Sequence, residues 1–309
     1  MSDDLPLLGF GLPVSGSWAT PATMLHVARR AEQLGYASLW SFQRVLFPVD
    51  GSIGPQYAAV HDPLVPLAFV ASATSRIRLG TAIVNAPFQA PALLAKSLTS
   101  LDVVSGGRLD AGLGIGWSQD EYAAAGVPYE RRGARMDEYL DALVALWTTD
   151  PVRFDGEFWT VPESRVAPAP VQRPHPPLLL GGGAPAALRR AGAKAQGWIS
   201  ASRHDLTALA ESAGHVRAGA QEAGRDPDAV RVVVRGVLDL LDRDPGADRK
   251  PLRGTREQVL DDLASLRRAG ATEVFLDLNF SPRVGSPDVD PEAALAHAEE
   301  VLDAFAPGR

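Results

Sequence analysis

The sequence predicts an α/β fold, a (β/α)8 TIM barrel that occupies residues 1–309 as a single domain, and three observations support this prediction. Short apolar runs alternate with longer amphipathic ones, with a period of about 35 residues that is typical of βα units. Eight such repeats can be counted along the chain. The strand-like runs are apolar throughout, as expected of strands buried on both faces, and this favours a barrel over an open doubly wound sheet.

The first four repeats occupy the amino-terminal half of the chain. Their predicted strands are PLLGFGL, YASLWSF, IRLGTAIV and RLDAGLGIG. The first helix begins with Thr20 as its N-cap, has proline in its first turn and ends at Gly35. The second helix, DPLVPLAFVASAT, begins with Asp62 as its N-cap, and the third, APALLAKSLTSLDVVS, ends at Gly106 and Gly107. The fourth helix is RGARMDEYLDALVALWT.

The repeat is interrupted after the fourth strand and its helix, at residues 151–176. Two aromatic-rich runs on either side of Asp155 and Gly156 indicate a small β-hairpin, and the proline-rich stretch APAPVQRPHPP after it is typical of a connector. We predict that this segment is an insertion within the one domain. The last four strands are LLLGGG, GWIS, VRVVVRGVL and EVFLDLNF, each followed by a helical pattern.

The composition excludes several classes of function. The formal net charge is -7 and the basic residues are scattered, so the basic stripe that nucleic-acid binding requires is missing and no nucleic-acid partner is expected. The chain has no cysteine, which excludes disulfides, thiolate metal sites and a cysteine nucleophile. Its six histidines show no ligand spacing such as H-E-x-x-H, so no metal is expected. The acidic start MSDDLPLLGFGLPVSG is broken early by proline and glycine, which predicts a cytoplasmic protein without a signal peptide or a membrane span.

Two groups of glycines mark the carboxyl ends of predicted strands. Gly112, Gly114 and Gly116 alternate at the end of the fourth strand, so they leave one face bare for a bulky ligand, another backbone or tight packing at a barrel corner. Three consecutive glycines at 181–183 follow the fifth strand and precede a helix, whose first N–H groups can bind a phosphate. Both groups lie on the face where TIM barrels bind ligands. Together they predict a long flat cofactor with a phosphate at one end.

Several stretches resemble a known family. LDVVSGGRLDAGLGIGW, RGARMDEYLDALVALWT, FDGEFW and PAPVQRPHPPLLLGGGAPAALRRAGAKAQGWI are similar to the bacterial luciferase-like superfamily, and in particular to its branch of oxidoreductases that use the deazaflavin coenzyme F420. The resemblance extends from Leu8 to about Phe280. It implies a TIM barrel with an insertion after strand four, a homodimer, and a flavin or deazaflavin on the carboxyl-terminal face of the barrel.

The resemblance also implies a set of cofactor-binding positions. The family has a cis peptide bond without proline in a bulge after strand three, against the central ring of the cofactor, and the matching bond joins Ala82 to Ile83. The next two residues continue along the ring, and the Asn85 side chain meets its pyrimidine edge. The implied cofactor-binding residues are Ala82, Ile83, Val84, Asn85, Gly116, Trp117, Gly181, Gly182 and Gly183.

One departure from the family pattern concerns the end of strand two. Where the family commonly has an acidic residue and a histidine, this chain has Gln43 and Arg44. Because arginine is always charged and is a poor general acid at neutral pH, we do not expect a histidine-type base here. Arg44 is suited to anchor a carboxylate or to stabilise negative charge on the substrate, with a surface salt bridge as the alternative. Trp117, as a ring over substrate or cofactor, and Glu121, as a proton donor or a helix-cap charge, are the other candidate catalytic residues.

These observations predict a coenzyme F420-dependent oxidoreductase that reduces a C=C, C=N or C=O group of a small-molecule substrate. The first alternative is an FMN-dependent monooxygenase on the same fold. Another is a barrel hydrolase that uses Asp277 and Glu121 as opposed carboxylates, and a third is a flavin-binding relative without catalysis. The identity of the substrate depends on loops such as Pro48–Val60 and residues 151–176.

Overall fold

Parallel strands close into a barrel in the computed structural model of the protein, which describes residues 4–307. The eight barrel strands, numbered in chain order, are β1 (Leu7–Gly11), β2 (Ser38–Ser41), β3 (Arg78–Thr81), β4 (Leu109–Gly114), β5 (Leu178–Gly181), β6 (Gly197–Ile199), β7 (Arg231–Val237) and β8 (Glu273–Asp277). Each strand pairs in parallel with the strands before and after it, β8 pairs with β1, and the pair Leu79 and Leu109 joins β3 to β4. The predicted (β/α)8 barrel is confirmed.

One main helix follows each barrel strand. These helices are α1 (Pro21–Leu34), α2 (Leu64–Ala71), α3 (Pro91–Val104), α4 (Arg132–Thr148), α5 (Pro185–Lys194), α6 (Leu209–Glu222), α7 (Arg256–Arg268) and α8 (Pro291–Ala304). The predicted caps of α1 are confirmed, because the Thr20 side chain accepts a hydrogen bond at its start and Gly35 ends it with φ 88°. At α2 the N-cap is Pro63, one residue after the predicted Asp62, whose carboxylate still accepts from the N–H groups of Leu64 and Val65. Local sequence signals therefore set where these helices begin and end.

The predicted hairpin lies between α4 and β5. Its antiparallel strands are Val152–Asp155 and Thr160–Ser164, and the turn between them is held to α4 by one side chain. The Glu138 carboxylate accepts hydrogen bonds of 2.7–2.8 Å from three consecutive backbone N–H groups of this turn, at residues 157–159. A turn that would otherwise leave three N–H groups to solvent is thereby attached to the barrel's outer layer of helices.

A network of buried charges closes the amino-terminal end of the barrel. Arg78 and Arg231 both bind the Asp110 carboxylate, at 2.7 and 2.8 Å, and Arg231 also reaches Glu273 at 3.0 Å. Burial alone opposes the charged form of Asp110, but the two guanidinium groups hold the pKa of its carboxyl below its ordinary value. Above this layer the barrel is filled by apolar side chains such as Trp40. The described residues therefore fill the amino-terminal end and the middle of the barrel with charged and apolar side chains.

Candidate active site

A pocket of about 270 Å³ opens at the carboxyl ends of the barrel strands, the face where TIM barrels carry their sites. Its lining residues are Phe42, Gln43, Arg44, Tyr57, Ala82, Ile83, Asn85, Gly114, Ile115, Gly116, Trp117, Gly181, Gly182, Ile199, Ser200, Ala201, Ser202 and Arg235. The structure therefore brings together nine of the residues predicted above. These are Gln43, Arg44, Ala82, Ile83, Asn85, Gly116, Trp117, Gly181 and Gly182.

A bulge after β3 forms the floor of this pocket. The Ala82–Ile83 peptide bond is cis, as the resemblance implied, and the Ile83 side chain packs onto two glycines. A Cβ atom built on Gly114 would lie 2.5 Å from Ile83 Cδ1, and one on Gly181 would lie 3.2 Å from Ile83 Cγ2. Larger residues at either position would displace Ile83.

The glycines of β4 consequently make room for the chain itself. A Cβ atom on Gly112 would lie 1.7 Å from the carbonyl oxygen of Thr81. Of the alternatives given for this face of β4, a neighbouring backbone is found at Gly112 and a packed Ile83 side chain at Gly114. Gly114 and Gly116 both line the pocket, and Gly116, with φ 73°, lies beside Asn85. The alternating glycines in the sequence could not show whether a ligand or a neighbouring strand occupies the space beside β4.

Arg235, on β7, holds the bulge from behind. This arginine is buried, and its Nη2 donates a hydrogen bond to the carbonyl oxygen of Ala82. Its Nε lies 3.3 Å from the Asp277 carboxylate, and its guanidinium lies 5.3 Å and 5.0 Å from the ring centres of Phe42 and Phe280. Burial lowers the pKa of Arg235, and the negative charge of Asp277 opposes this shift.

Sequence reasoning missed Arg235 as a site residue, although a signal was present. The arginine interrupts the apolar run VRVVVRGV of β7. A charged residue in a strand that is buried on both faces requires a partner inside the protein, and Asp277 at the end of β8 supplies it.

Arg44 lies at the rim of the pocket between two aromatic rings. Its guanidinium carbon is 4.5 Å from the ring centre of Trp117 and 5.2 Å from that of Tyr57. Its Nε is 3.3 Å from Glu121 Oε1, and the two side chains are 6% and 0% exposed. The pair is buried, which differs from the surface salt bridge considered as an alternative. Neither Nη of Arg44 hydrogen-bonds to any residue in 4–307, so both can bind a ligand.

Glu121 lies outside the pocket lining and stabilises the loop after β2. Its Oε1 accepts hydrogen bonds from the backbone N–H groups of Val45 at 2.7 Å and Leu46 at 3.1 Å. Gln43 stabilises the segment after the bulge in a similar way, because its amide oxygen accepts a 2.8 Å hydrogen bond from the backbone N–H of Asn85. Arg44 and Asn85 both line the pocket, and the Asn85 side-chain amide is unpaired among the described residues.

Two further predicted positions lie outside the lining of the pocket. Val84 is buried in the core, and Gly183 is exposed at the amino terminus of α5 with open space where a Cβ would project. Gly182 has φ 144°, and a Cβ there would lie 2.7 Å from Ala187 Cβ. Its carbonyl oxygen accepts a 2.7 Å hydrogen bond from Trp198 Nε1. The glycine loop is thus positioned by its neighbours.

The pocket contains neither histidine nor carboxylate. None of the six histidines, and no aspartate or glutamate in the described part of the chain, is among its lining residues. Asp277 instead binds Asn279 at 2.9 Å and pairs with Arg235, and burial raises the pKa of its carboxyl. Asp277 and Glu121 are therefore not assembled as the opposed carboxylates of a hydrolase. Within residues 4–307, no group of three or more metal-ligating side chains is arranged to hold an ion, and no helix has the length and apolarity needed to cross a membrane.

Comparison with known proteins agrees with this architecture. Residues 8–250 match the model of the luciferase-like monooxygenase family. The chain belongs to this family. An uncharacterised protein of Mycobacterium tuberculosis is 36% identical over 250 residues, which are 76% of this chain and 86% of the relative. The FMNH2-dependent dimethylsulfone monooxygenase of Pseudomonas putida is 27% identical over a region that covers 79% of this luciferase-like chain and 66% of that enzyme's length.

Solved structures of the same fold include a monooxygenase and a coenzyme F420-dependent reductase. The monooxygenase RslO1 of Streptomyces bottropensis superposes with a TM-score of 0.79 at 22% identity, over 97% of this chain and 98% of its own. The coenzyme F420-dependent tetrahydromethanopterin reductase of Methanopyrus kandleri superposes with a TM-score of 0.75 at 19% identity, over 97% of this chain and 99% of the reductase chain. At these identities the likeness shows the fold alone.

Proposed function

We propose that this luciferase-like oxidoreductase uses coenzyme F420 to reduce a C=C, C=N or C=O group of a small-molecule substrate. The observation that carries the proposal is a pocket built around the Ala82–Ile83 bulge and lined by no histidine or carboxylate from residues 4–307. Ser200 and Ser202 line it without a base to activate them. Since the side chains present supply no nucleophile-and-base pair, the reaction depends on a bound cofactor.

The residues of the pocket fit a flat cofactor with a polar edge and a phosphate. Ile83, Ile115 and Ile199 provide apolar surface for the ring system, and the unpaired Asn85 amide is available to its pyrimidine edge. The open space at Gly183 adjoins the amino terminus of α5, which has no side-chain cap and so offers backbone N–H groups to a phosphate. When bound, reduced F420 supplies a hydride from its ring carbon C5. The protein's own contribution is to orient the substrate and to control protons and water.

Binding measurements with two cofactors test the proposal. Titration of the purified protein, followed by the fluorescence of F420 and of FMN, should show F420 bound about tenfold or more tightly, a difference of about 1.4 kcal/mol. The variant Asn85→Leu, which removes the amide at similar volume, should weaken this binding. A protein that binds neither cofactor contradicts the proposal. One that binds only FMN favours the second candidate, an FMN-dependent monooxygenase, which the similarity to the dimethylsulfone enzyme supports.

Arg44 is proposed to anchor an acidic or carbonyl-bearing substrate. Its two Nη groups face the pocket rim without protein partners in residues 4–307, and the flanking rings of Trp117 and Tyr57 hold the guanidinium in place. A planar guanidinium binds such a group bidentately, whereas lysine supplies the charge without that geometry. Arg44→Lys should therefore raise the KM of the substrate more than it alters F420 affinity. The opposite result, intact kinetics with lost cofactor binding, would assign Arg44 to the cofactor.

A homodimer is the proposed assembly. Helices α2 and α3 pack against each other, and both leave large apolar side chains in solvent, with Val65 67%, Phe69 41% and Leu93 64% exposed. Apolar surface of this kind on neighbouring helices is typical of an interface between subunits.

A further inference from the structure

Tyr57 occupies a fixed position on one wall of the pocket. It ends the short turn Pro55–Tyr57, in the loop that follows β2. Its ring packs edge-to-face on Phe42 at 6.3 Å and on Phe280 at 5.5 Å, and Arg44 lies over it at 5.2 Å. The residue is only 9% exposed. Contacts on several sides of the ring therefore determine where its hydroxyl lies.

The Tyr57 hydroxyl is available to a ligand. It makes no hydrogen bond to any residue in the described range 4–307, yet its oxygen is not among the fully buried, unpartnered polar atoms, in contrast to the hydroxyl of Tyr139. Because Tyr57 lines the pocket, this remaining accessible surface opens into the ligand space. Buried hydroxyls in proteins are normally paired, so an unpaired one at a pocket wall indicates a partner that binds there.

A second observation places Tyr57 near the bulge. Its ring packs on Phe42 and Phe280, and the Arg235 guanidinium lies 5.3 Å and 5.0 Å from the centres of the same two rings. Arg235 in turn donates to the carbonyl oxygen of Ala82. Tyr57 thus lies on the same side of the pocket as the floor against which the cofactor ring is proposed to rest.

Other sources of a proton are missing from the pocket lining. The reduction of a C=O, C=N or conjugated C=C group needs one proton for each hydride. Histidine and carboxylate side chains are absent from the lining within the described residues, and a guanidinium group is a poor general acid. Among the remaining lining residues, a tyrosine hydroxyl is the side-chain group known to act as a general acid.

We propose that Tyr57 is the catalytic acid of this enzyme, an inference that rests on the proposed function. The substrate carbon would take up the hydride, with both electrons, that bound reduced deazaflavin would supply. The O–H bond of Tyr57 breaks, and its proton goes to the oxygen or nitrogen of the reduced group, or to the α carbon of an enone. The phenolate then regains a proton from water, so that Tyr57 returns to its starting state.

Kinetics of Tyr57→Phe, with cyclohex-2-en-1-one as the probe substrate, form the first half of the test. We expect kcat to fall by about 100-fold or more, while the KM for cyclohexenone and the fluorescence-measured Kd for F420 change by less than about twofold. A solvent deuterium isotope effect on kcat should be present in the wild type and lost in the variant. Tyr139→Phe, which removes a hydroxyl from a tyrosine outside the pocket, is the matched control and should retain wild-type turnover.

Nuclear magnetic resonance of protein labelled at tyrosine Cζ is the second half and needs no turnover. The chain has five tyrosines, and Tyr57→Phe identifies the signal of Tyr57. Addition of oxidised F420 and cyclohexenone to saturation should shift this signal and leave that of Tyr139 in place. An unshifted Tyr57 signal, or full turnover in Tyr57→Phe, overturns the role of Tyr57 alone. Failure of the wild type to bind F420 overturns this inference together with the proposed function.

Discussion

Replacing Arg44 by methionine tests how a buried ion pair holds the rim of the pocket. The change leaves the fully buried Glu121 carboxylate with only the backbone N–H groups of Val45 and Leu46 as partners. Breaking a buried pair on one side usually costs about 3–5 kcal/mol. The contact between Arg44 Nε and Glu121 Oε1 is 3.3 Å long and lacks hydrogen-bond geometry. We therefore expect a loss of about 3 kcal/mol, at the low end of that range.

The partner variant Glu121→Gln removes the charge and keeps an oxygen that can accept from the same two N–H groups. It leaves Arg44 at the rim, where its Nη atoms still reach solvent and the rings of Trp117 and Tyr57 still flank it. We expect a loss of about 1 kcal/mol. The double variant Arg44→Met, Glu121→Gln should be nearly as stable as Glu121→Gln alone, with a coupling energy of about 2–3 kcal/mol.

Urea unfolding of the four proteins, followed by tryptophan fluorescence, measures this coupling. The exposed pair Arg131 and Glu157, whose side chains are both 59% exposed, is a matched control in which the same cycle should show no measurable coupling. The reasoning would be refuted if the stability loss of the double variant equals the sum of the losses of the two single variants to within about 0.5 kcal/mol. Such a result would mean that the loop after β2 is held by the two backbone hydrogen bonds without help from the arginine.

Three other predictions concern different parts of the molecule. Gly183→Asp should weaken F420 binding by about tenfold or more, because it places a negative charge beside the amino terminus of α5. Gly183→Ala should bind F420 like the wild type, since open space surrounds this position. Equal affinities of the two variants in a fluorescence titration would mean that the phosphate binds at another place. Asp110→Asn should lose about 3–5 kcal/mol of unfolding free energy at pH 7. Because the pKa of Asp110 is lowered in the folded state, its contribution to stability is present above the unfolded pKa of about 3.9 and is lost as the pH falls through the folded pKa. The difference in unfolding free energy between wild type and variant should therefore shrink in urea titrations below about pH 4, and a difference that stays constant would contradict this. Light scattering of the wild type at micromolar concentration should give a mass twice that of one chain, which is 32.8 kDa. Phe69→Asp, on the exposed face of α2, should shift the protein toward the monomer. A wild type with the mass of one chain would exclude the dimer.

The barrel could be predicted from sequence because its signals are local and repeated. Each strand is an apolar run, and residues such as Thr20, Gly35 and Asp62 set helix ends through contacts within a few positions. The location of the pocket followed from the same regularity, since all parallel strands of a barrel end on one face. The bulge at Ala82 and the rim position of Arg44 came from the resemblance to the family and not from a pattern within the chain.

The roles of individual side chains depend on contacts between distant segments, which periodicity does not encode. Gly112, Gly114 and Gly116 share one spacing, yet a Cβ on Gly112 would meet the Thr81 carbonyl and one on Gly114 would meet the Ile83 side chain, whereas Gly116 lies beside Asn85. Glu121 was a candidate proton donor, but its carboxylate accepts from a loop more than 70 residues away in sequence. Tyr57 lies in a loop without periodicity, so its approach to the pocket could not be read from its neighbours.

The distribution of charge around the pocket bears on the direction of the reaction. The carboxylates of Glu121 and Asp277 do not line the pocket and instead pair with Arg44 and Arg235, and Glu121 also accepts from backbone N–H groups. Three lining side chains can each donate a hydrogen bond to a ligand: Arg44, Asn85 and Tyr57. A substrate that gains negative charge and a proton as hydride arrives is stabilised by such a wall, since donors already point at the oxygen or nitrogen where the charge develops. An alcohol that must lose a proton finds no carboxylate or histidine base among the described lining residues. The arrangement therefore supports reduction over alcohol oxidation as the direction of the proposed reaction.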